Sequence, residues 1–236
     1  MNVTMYDKLL QLPLFQGLCT NDLTHILEKV KLHFQNHKAG TCLLQQGTPC
    51  NQLLFLLDGS LTAEREDSEC GFVLGEELEA PLIIEPYSLY GMHTRHTASY
   101  FAHTDVNVVA IDKSYILTVL AKYPIFQLNI LNLLSNRAQA VQERTWNAHG
   151  RDIYEKINNF LLLRCQRPTG SKTLRIRMED LAALIGETRI NVSKVLNEYQ
   201  LKGLAKLSRK AILIPEVEAL THYAVAHQTD TIDEQE

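Results

Sequence analysis

Between Glu187 and Gly203 the chain reads ETRINVSKVLNEYQLKG, and Arg189, Ile190, Asn191, Ser193 and Lys194 at its start have the chemistry to read duplex DNA. An arginine can donate to both acceptors of a guanine, and an asparagine can pair with adenine. An isoleucine can pack on a thymine methyl, while lysine or serine can hold phosphate. These groups act together only if one helix end carries them into a major groove. The spacing supplies that helix. Val192, Val195, Leu196 and Tyr199 line one face, Thr188 is placed to cap the free N–H groups, and Gly203 stands where a left-handed C-cap belongs, bounding a helix from about Thr188 to Lys202. Leu181, Leu184 and Ile185 predict a shorter helix just before it, with Gly186 as the turn. The stretch that follows, to Ile214, reads as a β-hairpin wing bearing Lys206, Arg209 and Lys210. Duplex DNA is thus the expected partner of Thr188, Arg189, Ile190, Asn191, Ser193 and Lys194 on the helix and of the three wing cations.

Charge is distributed to match. From Arg164 to Ile214 eleven Lys or Arg stand against four Asp or Glu, whereas the whole chain carries a net charge of −4. A basic block confined to the proposed reading head is the footprint of a phosphate partner. The remainder after Ile214 holds six acids and no Lys or Arg, and residues 225–236 are expected to be a disordered acidic tail.

The reading head needs elements to position and govern it. The chain has 236 residues and 45% hydrophobic content, enough for two modest domains. It has no 18-residue apolar run or signal-like leader, so a soluble cytoplasmic protein without membrane contact is expected. Its five cysteines, Cys19, Cys42, Cys50, Cys70 and Cys165, are scattered singly and are expected to be reduced structural thiols. Asp22 to Lys31 is helix-like. From His37 to Asp112 short β-rich runs alternate with breaks at Gly40, Gly47 and Gly59, the pattern of an antiparallel roll or barrel. Ser114 to Lys122 predicts a short helix, and Pro124 opens a long one that runs from Ile125 to about Trp146. Phe126, Ile130, Leu133, Leu134 and Val141 recur along that helix as a stripe that can pack on its own roll, on a partner's copy or on both, and a symmetric dimer is expected. Gly150 follows as a hinge.

These pieces, in this order, resemble the Crp/Fnr family of bacterial transcription regulators. The resemblance rests on LPLFQGL, AGTCLLQQGTPCNQLLFLLDGSL, the long helix behind KYPIF, and IGETRINVSKVLNEYQLKGL, and covers about Leu12 to Tyr223. It implies an α+β fold with an N-terminal double-stranded β-roll, a long dimerisation helix and a C-terminal winged helix-turn-helix. The expected domains are a β-roll effector or sensor domain over 1–123, the dimerisation helix and hinge over 124–148, and the DNA-binding domain over 149–224. The implied activity is sequence-specific binding of palindromic promoter DNA by a homodimer under control of the roll, usually with RNA polymerase recruited or blocked.

The resemblance places an effector pocket at Tyr90, Arg95, His96, Thr97 and Ser99, but the residues there depart from the cyclic AMP pattern. Nucleotide-binding members hold ribose and phosphate with a Gly-Glu pair followed by an Arg before a Ser/Thr-Ala segment. Here the stretch reads EPYSLYGMHTRHTAS, without the Gly-Glu pair and with His96 at the phosphate position. Arg95 lies one residue earlier, and a one-residue slip in a strand turns a side chain to the other face. Gly75-Glu76 is read as a turn. An iron–sulfur cluster is not expected, since only Cys19 precedes Cys42. The recognition helix departs too, with Ile190 where the best-known members carry Glu, which predicts a different base preference.

The effector, an unidentified small molecule if there is one, stays open at this point. One alternative is a haem- or nitric-oxide-responsive sensor, with Met92, His93, His96 and His103 as axial ligands. Another is a ligand-binding interaction module that does not read DNA. No nucleophile elbow, phosphate loop or metal-spaced ligand set occurs, so neither catalysis nor a metal site is expected.

Overall fold

The computed structural model of the chain describes residues 10–224, and the expected acidic tail lies outside the described residues. The described chain divides into two compact units, one of residues 10–63 and 78–140, the other of 64–77 and 141–224.

The first unit begins with helix α1 (Thr20–Lys29), capped by Cys19, whose sulfur accepts from the Asp22 N–H. The helix stops at Lys29, two residues short of its expected end, because Val30 and then β1 (Leu32–His37) turn extended. Strand structure therefore begins ahead of His37. β3 (Gln52–Asp58), β6 (Leu82–Ile84) and β8 (Val106–Asp112) join β1 in an antiparallel sheet ordered β1-β8-β3-β6. β2 (Cys42–Leu44), β7 (Ser99–Ala102) and the near end of β4 (Ser60–Asp67) form the facing sheet of the roll.

Both faces of β3 are buried, which explains why LLFLL is continuously apolar. Leu54 and Leu56 meet Val108, Ala110, Leu61, Tyr100 and Ala102 between the sheets. Leu53 and Phe55 point the other way, with Val109 and Ile111, onto Phe15, Leu23 and Ile26. Gly59 makes the β3–β4 turn at φ +85°, and a Cβ there would stand 2.4 Å from the Asp105 carbonyl oxygen, so only glycine fits. The helix expected over Ser114–Lys122 is α2 (Lys113–Thr118) followed by a 3₁₀ turn, Leu120–Lys122. Then comes α3 (Pro124–Trp146), as predicted with proline in its first turn.

The second unit is a winged helix. It contains α4 (Ile153–Leu162), β9 (Lys172–Arg175), α5 (Met178–Ile185), α6 (Arg189–Leu201), β10 (Lys206–Ser208) and β11 (Ala211–Ile214), with residues 217–224 helical. The Asp152 carboxylate caps α4 by accepting from the Glu155 N–H at 2.8 Å. Its antiparallel sheet runs β10-β11-β9 and continues onto β5 (Phe72–Glu79) through Val73 to Glu76. Phe72, Leu74, Phe160, Leu174, Leu181, Val192, Val195, Leu196, Ile212 and Ile214 fill one core. Gly75 and Glu76 lie inside β5, which corrects their reading as a turn: they pair with Thr173 and Lys172 of β9. Glu76 is buried, accepts from the Gln166 N–H at 2.6 Å, and stands 3.3 Å from the buried Lys172 ammonium. That pair is a packing element, not a phosphate motif. Among the described residues no single helix is long and apolar enough to cross a membrane.

Candidate nucleic-acid interface

The helix pair closes as its local chemistry dictates. α5 ends on Gly186 at φ +68°, with Glu187 N–H donating to the Ala182 carbonyl and Gly186 N–H to Ala183. The α6 end repeats the pattern around Gly203 at φ +72°, with Leu204 bonded to Tyr199 and Gly203 to Gln200. Both are two-bond glycine caps that satisfy otherwise orphan carbonyls. Thr188 starts α6, its hydroxyl accepting from the Asn191 N–H at 3.2 Å. Its evident role is to begin the helix.

Val192, Val195, Leu196 and Tyr199 are buried, as the 3.6-residue period requires, and this turns Arg189, Ile190, Asn191 and Lys194 to the exposed side, with Ser193 half-buried beside them. Ile190 is 68% exposed, an apolar side chain offered to solvent on an otherwise polar helix end. Arg189 rests 3.9 Å from Glu179, with both side chains about two-thirds exposed. A contact of that kind is worth at most about 1 kcal/mol, so the guanidinium is free to exchange it for a base edge.

The wing adds a second basic edge. Ser208 and Ala211 form the last register pair of the β10–β11 hairpin, leaving Arg209 and Lys210 as its two-residue turn. Lys206, Arg209 and Lys210 are all exposed, and Lys210 takes a left-handed φ of 64°. A groove between helix pair and wing is lined by Arg177, Glu179, Arg189, Ser208 and Lys210. Arg177, held by Asp180 through bonds of 2.7 and 3.1 Å, was visible in the sequence only as one charge among eleven. Its place in the groove depends on β9 and the wing meeting.

In the first unit the expected effector residues separate. Arg95 is exposed and donates to the Gly47 carbonyl at 2.7 Å, so it does not serve the roll interior. Ser99 accepts from the Gln46 N–H at 3.0 Å, and the Tyr90 ring lies under the Lys113 ammonium, 4.6 Å away. His96 and Thr97 do come together, on a residue the sequence pattern did not single out: Glu85. Its buried carboxylate accepts from Thr97 N–H at 2.8 Å, Thr97 Oγ1 at 2.9 Å, Ala98 N–H at 3.0 Å, Tyr100 OH at 3.0 Å and Ser88 Oγ at 2.8 Å. The His96 Nδ1 stands 3.8 Å from Oε2, an ion pair longer than a hydrogen bond. Burial would raise the Glu85 carboxyl, but the neighbouring His96 imidazole and the bonds from Thr97 and Ser88 together hold it below the usual range. The His96 imidazole is pushed up to about 9, by the Cys50 thiol first and Glu85 second, against burial. Of the other histidine and methionine candidates, Met92, His93 and His103 are all exposed.

The long helix also sorts its stripe. Phe126 is only 2% exposed, its ring 6.0 Å from that of Phe15, while Ile130 and Leu133 pack on the same core. These three pack on their own roll, Phe126 fully and Ile130 and Leu133 in part, which is one of the alternatives open for the stripe. Leu134 is half-buried, and the exposed apolar side chains of α3 include Leu128, Leu131 and Val141.

Comparison with known proteins follows the same division. Residues 34–123 match the family model of the cyclic nucleotide-binding domain, and residues 155–223 that of the Crp-like helix-turn-helix domain. The chain is 24% identical over 187 residues to a global nitrogen regulator of Synechocystis sp., covering 74% of this chain and 81% of that one. It is 24% identical over 223 residues to a cyclic AMP receptor protein of Thermus thermophilus, covering 87% and 96%. The crystal structure of the Thermus thermophilus catabolite activator protein shares the fold, with a TM-score of 0.51 at 22% identity over 91% of this chain and 99% of that one.

Proposed function

The chain belongs to the Crp/Fnr-type, DNA-binding transcription regulators, and from that premise we propose that it reads a pseudo-palindromic promoter site as a homodimer, α6 in the major groove and the wing on the flanking phosphates. The observation that carries this reading is that Arg189, Ile190, Asn191 and Lys194 are exposed on α6 while Arg189 lines one groove with Ser208 and Lys210 of the wing, whose cations Lys206 and Arg209 are exposed as well. In the proposed division of labour Arg189, Ile190 and Asn191 meet base edges, whereas Ser193, Lys194 and the wing meet phosphate. Thr188 sets the helix start that aims them.

The proposed dimer seam runs along the outward side of α3, through Leu128, Leu131, Leu134 and Val141. Pairing two such helices sets two reading heads about one DNA turn apart. Residues 1–123 are the sensor, and the state of the roll governs DNA affinity. RNA polymerase is the proposed downstream partner, in the cytoplasm.

Selection of bound sequences from a random duplex library, by the purified chain at physiological salt without added effector, tests the reading. Recovery of a palindrome with half-sites about ten base pairs apart is the expected result. Recovery of nothing, in the presence as well as the absence of cell extract, would refute it.

A further inference from the structure

Glu85 is held by more donors than any other carboxylate described above, and it is held in a backbone conformation that a side chain disfavours. Its φ and ψ are 40° and 53°, in the left-handed region, ahead of Pro86 and the 3₁₀ turn Pro86–Ser88. The side chain is fully buried. A carboxylate withdrawn from water in this way persists only where fixed donors replace its hydration. Here they divide between its two oxygens. Oε1 takes the Thr97 hydroxyl, the Ala98 N–H and the Tyr100 hydroxyl, while Oε2 takes the Ser88 hydroxyl and the Thr97 N–H, with His96 beyond. Successive backbone N–H groups aimed at different oxygens of one anion, backed by hydroxyls and an imidazole, are the means by which a protein binds an oxyanion ligand.

We propose that Ser88, His96, Thr97, Ala98 and Tyr100 form an oxyanion site inside the roll whose resident ligand is the chain's own Glu85 carboxylate. The strained Glu85 backbone is what inserts that carboxylate. The site lies within the residues that match the cyclic nucleotide-binding domain model, and a cyclic nucleotide brings one phosphate anion. In this chain the internal carboxylate satisfies the donors, so the roll is self-liganded and does not take up a cyclic nucleotide. Withdrawal of Glu85 leaves a site for a small carboxylate.

The test uses the full chain. Calorimetric titration of the wild-type protein with cyclic AMP at millimolar concentration is expected to show no binding, and stoichiometric binding would overturn the proposal. In parallel, Glu85→Gly empties the site and removes the backbone strain. Its melting temperature is expected to fall below wild type and to recover by at least half in sodium acetate, with no such recovery in sodium chloride of equal ionic strength. Equal responses to acetate and chloride by the folded variant would overturn the proposal. If Glu85→Gly does not fold, Glu85→Gln serves in its place, since it keeps the shape and swaps one oxygen for an amide. Donors built for an oxyanion then lose bonds and the roll melts lower, whereas an unchanged melting temperature overturns the proposal.

Discussion

Replacing Lys210 by glycine should move stability and DNA affinity in opposite directions. Lys210 occupies the second place of the wing turn at φ 64°. Left-handed backbone costs a residue with a side chain about 1–2 kcal/mol. Glycine removes that cost but returns about 0.4–1 kcal/mol of it through its freer unfolded chain. The register of Ser208 with Ala211 and the bond from Ile176 N–H to the Lys210 carbonyl, 3.1 Å, involve only backbone and survive the change. Lys210→Gly should therefore stabilise the winged helix by roughly 0.5–1 kcal/mol. Its loss of charge acts on DNA. One phosphate contact fewer lowers the slope of log affinity against log salt by about 0.9 per subunit, which at physiological salt is about fivefold in affinity, and about thirtyfold when both wings of a dimer lose it. The assay is fluorescence anisotropy on specific and random duplexes across roughly 50 to 200 mM salt, beside calorimetric melting of the same preparation. An unchanged salt slope would remove the wing tip from the phosphate backbone. A loss of stability would refute the strain argument.

Three further outcomes follow from the geometry. Arg189→Ala is expected to relax discrimination at one base pair at a cost of about 1–3 kcal/mol, whereas Lys194→Ala weakens all duplexes alike, and equal losses on specific and random DNA for both variants would reject that division. Phe126→Ala, deep in the first unit's core, should cost about 3–5 kcal/mol of stability, while Leu131→Glu, 60% exposed, should leave monomer stability nearly unchanged and convert the dimer to monomer in sedimentation. The roll should also show a two-sided pH response. His96, raised to about 9, contributes stability that is complete below its ordinary 6.5 and is lost as pH climbs towards 9. Glu85, depressed, contributes above its ordinary 4.5 and loses that contribution as pH falls through its lower folded value. Melting temperature should thus decline between pH 6.5 and 9 in the wild type and lose that decline in His96→Gln; an identical alkaline limb in the variant would mean that His96 is not the group responsible.

The reading head was legible because its signals are local. A threonine cap reaches three residues, a helical face repeats within four, and a glycine is needed wherever the chain must turn left-handed after a helix. Thr188, Val192, Val195, Leu196, Tyr199, Gly186 and Gly203 all act over such distances, so their types alone placed α5 and α6 and turned Arg189 and Lys194 outward. The roll was legible as alternating short strands and glycine breaks, with Gly59 the clearest case. The family followed from the order of these pieces.

Tertiary structure decided what depends on partners far away in the chain. Phe126, Ile130 and Leu131 all lie on a helix that is apolar along much of its length, and periodicity cannot say which side faces the core. That choice is made by Phe15, more than a hundred residues earlier, whose ring packs against Phe126 and leaves Leu131 outside. Glu85 stood in the stretch EPYSLYGMHTRHTAS with nothing in its own neighbourhood to mark it. Its donors lie three to fifteen residues downstream, on a short turn, on the segment just before β7 and on β7 itself, and only closure of the two sheets brings them to one carboxylate. The sequence alone determined most of the helices, strands and turns, because those preferences are local free energies, whereas Gly75-Glu76 became strand only through pairing with β9. Which side chain enters the core or fills a polar site was decided by the fold, because burial and hydrogen-bond satisfaction are properties of the assembled surroundings.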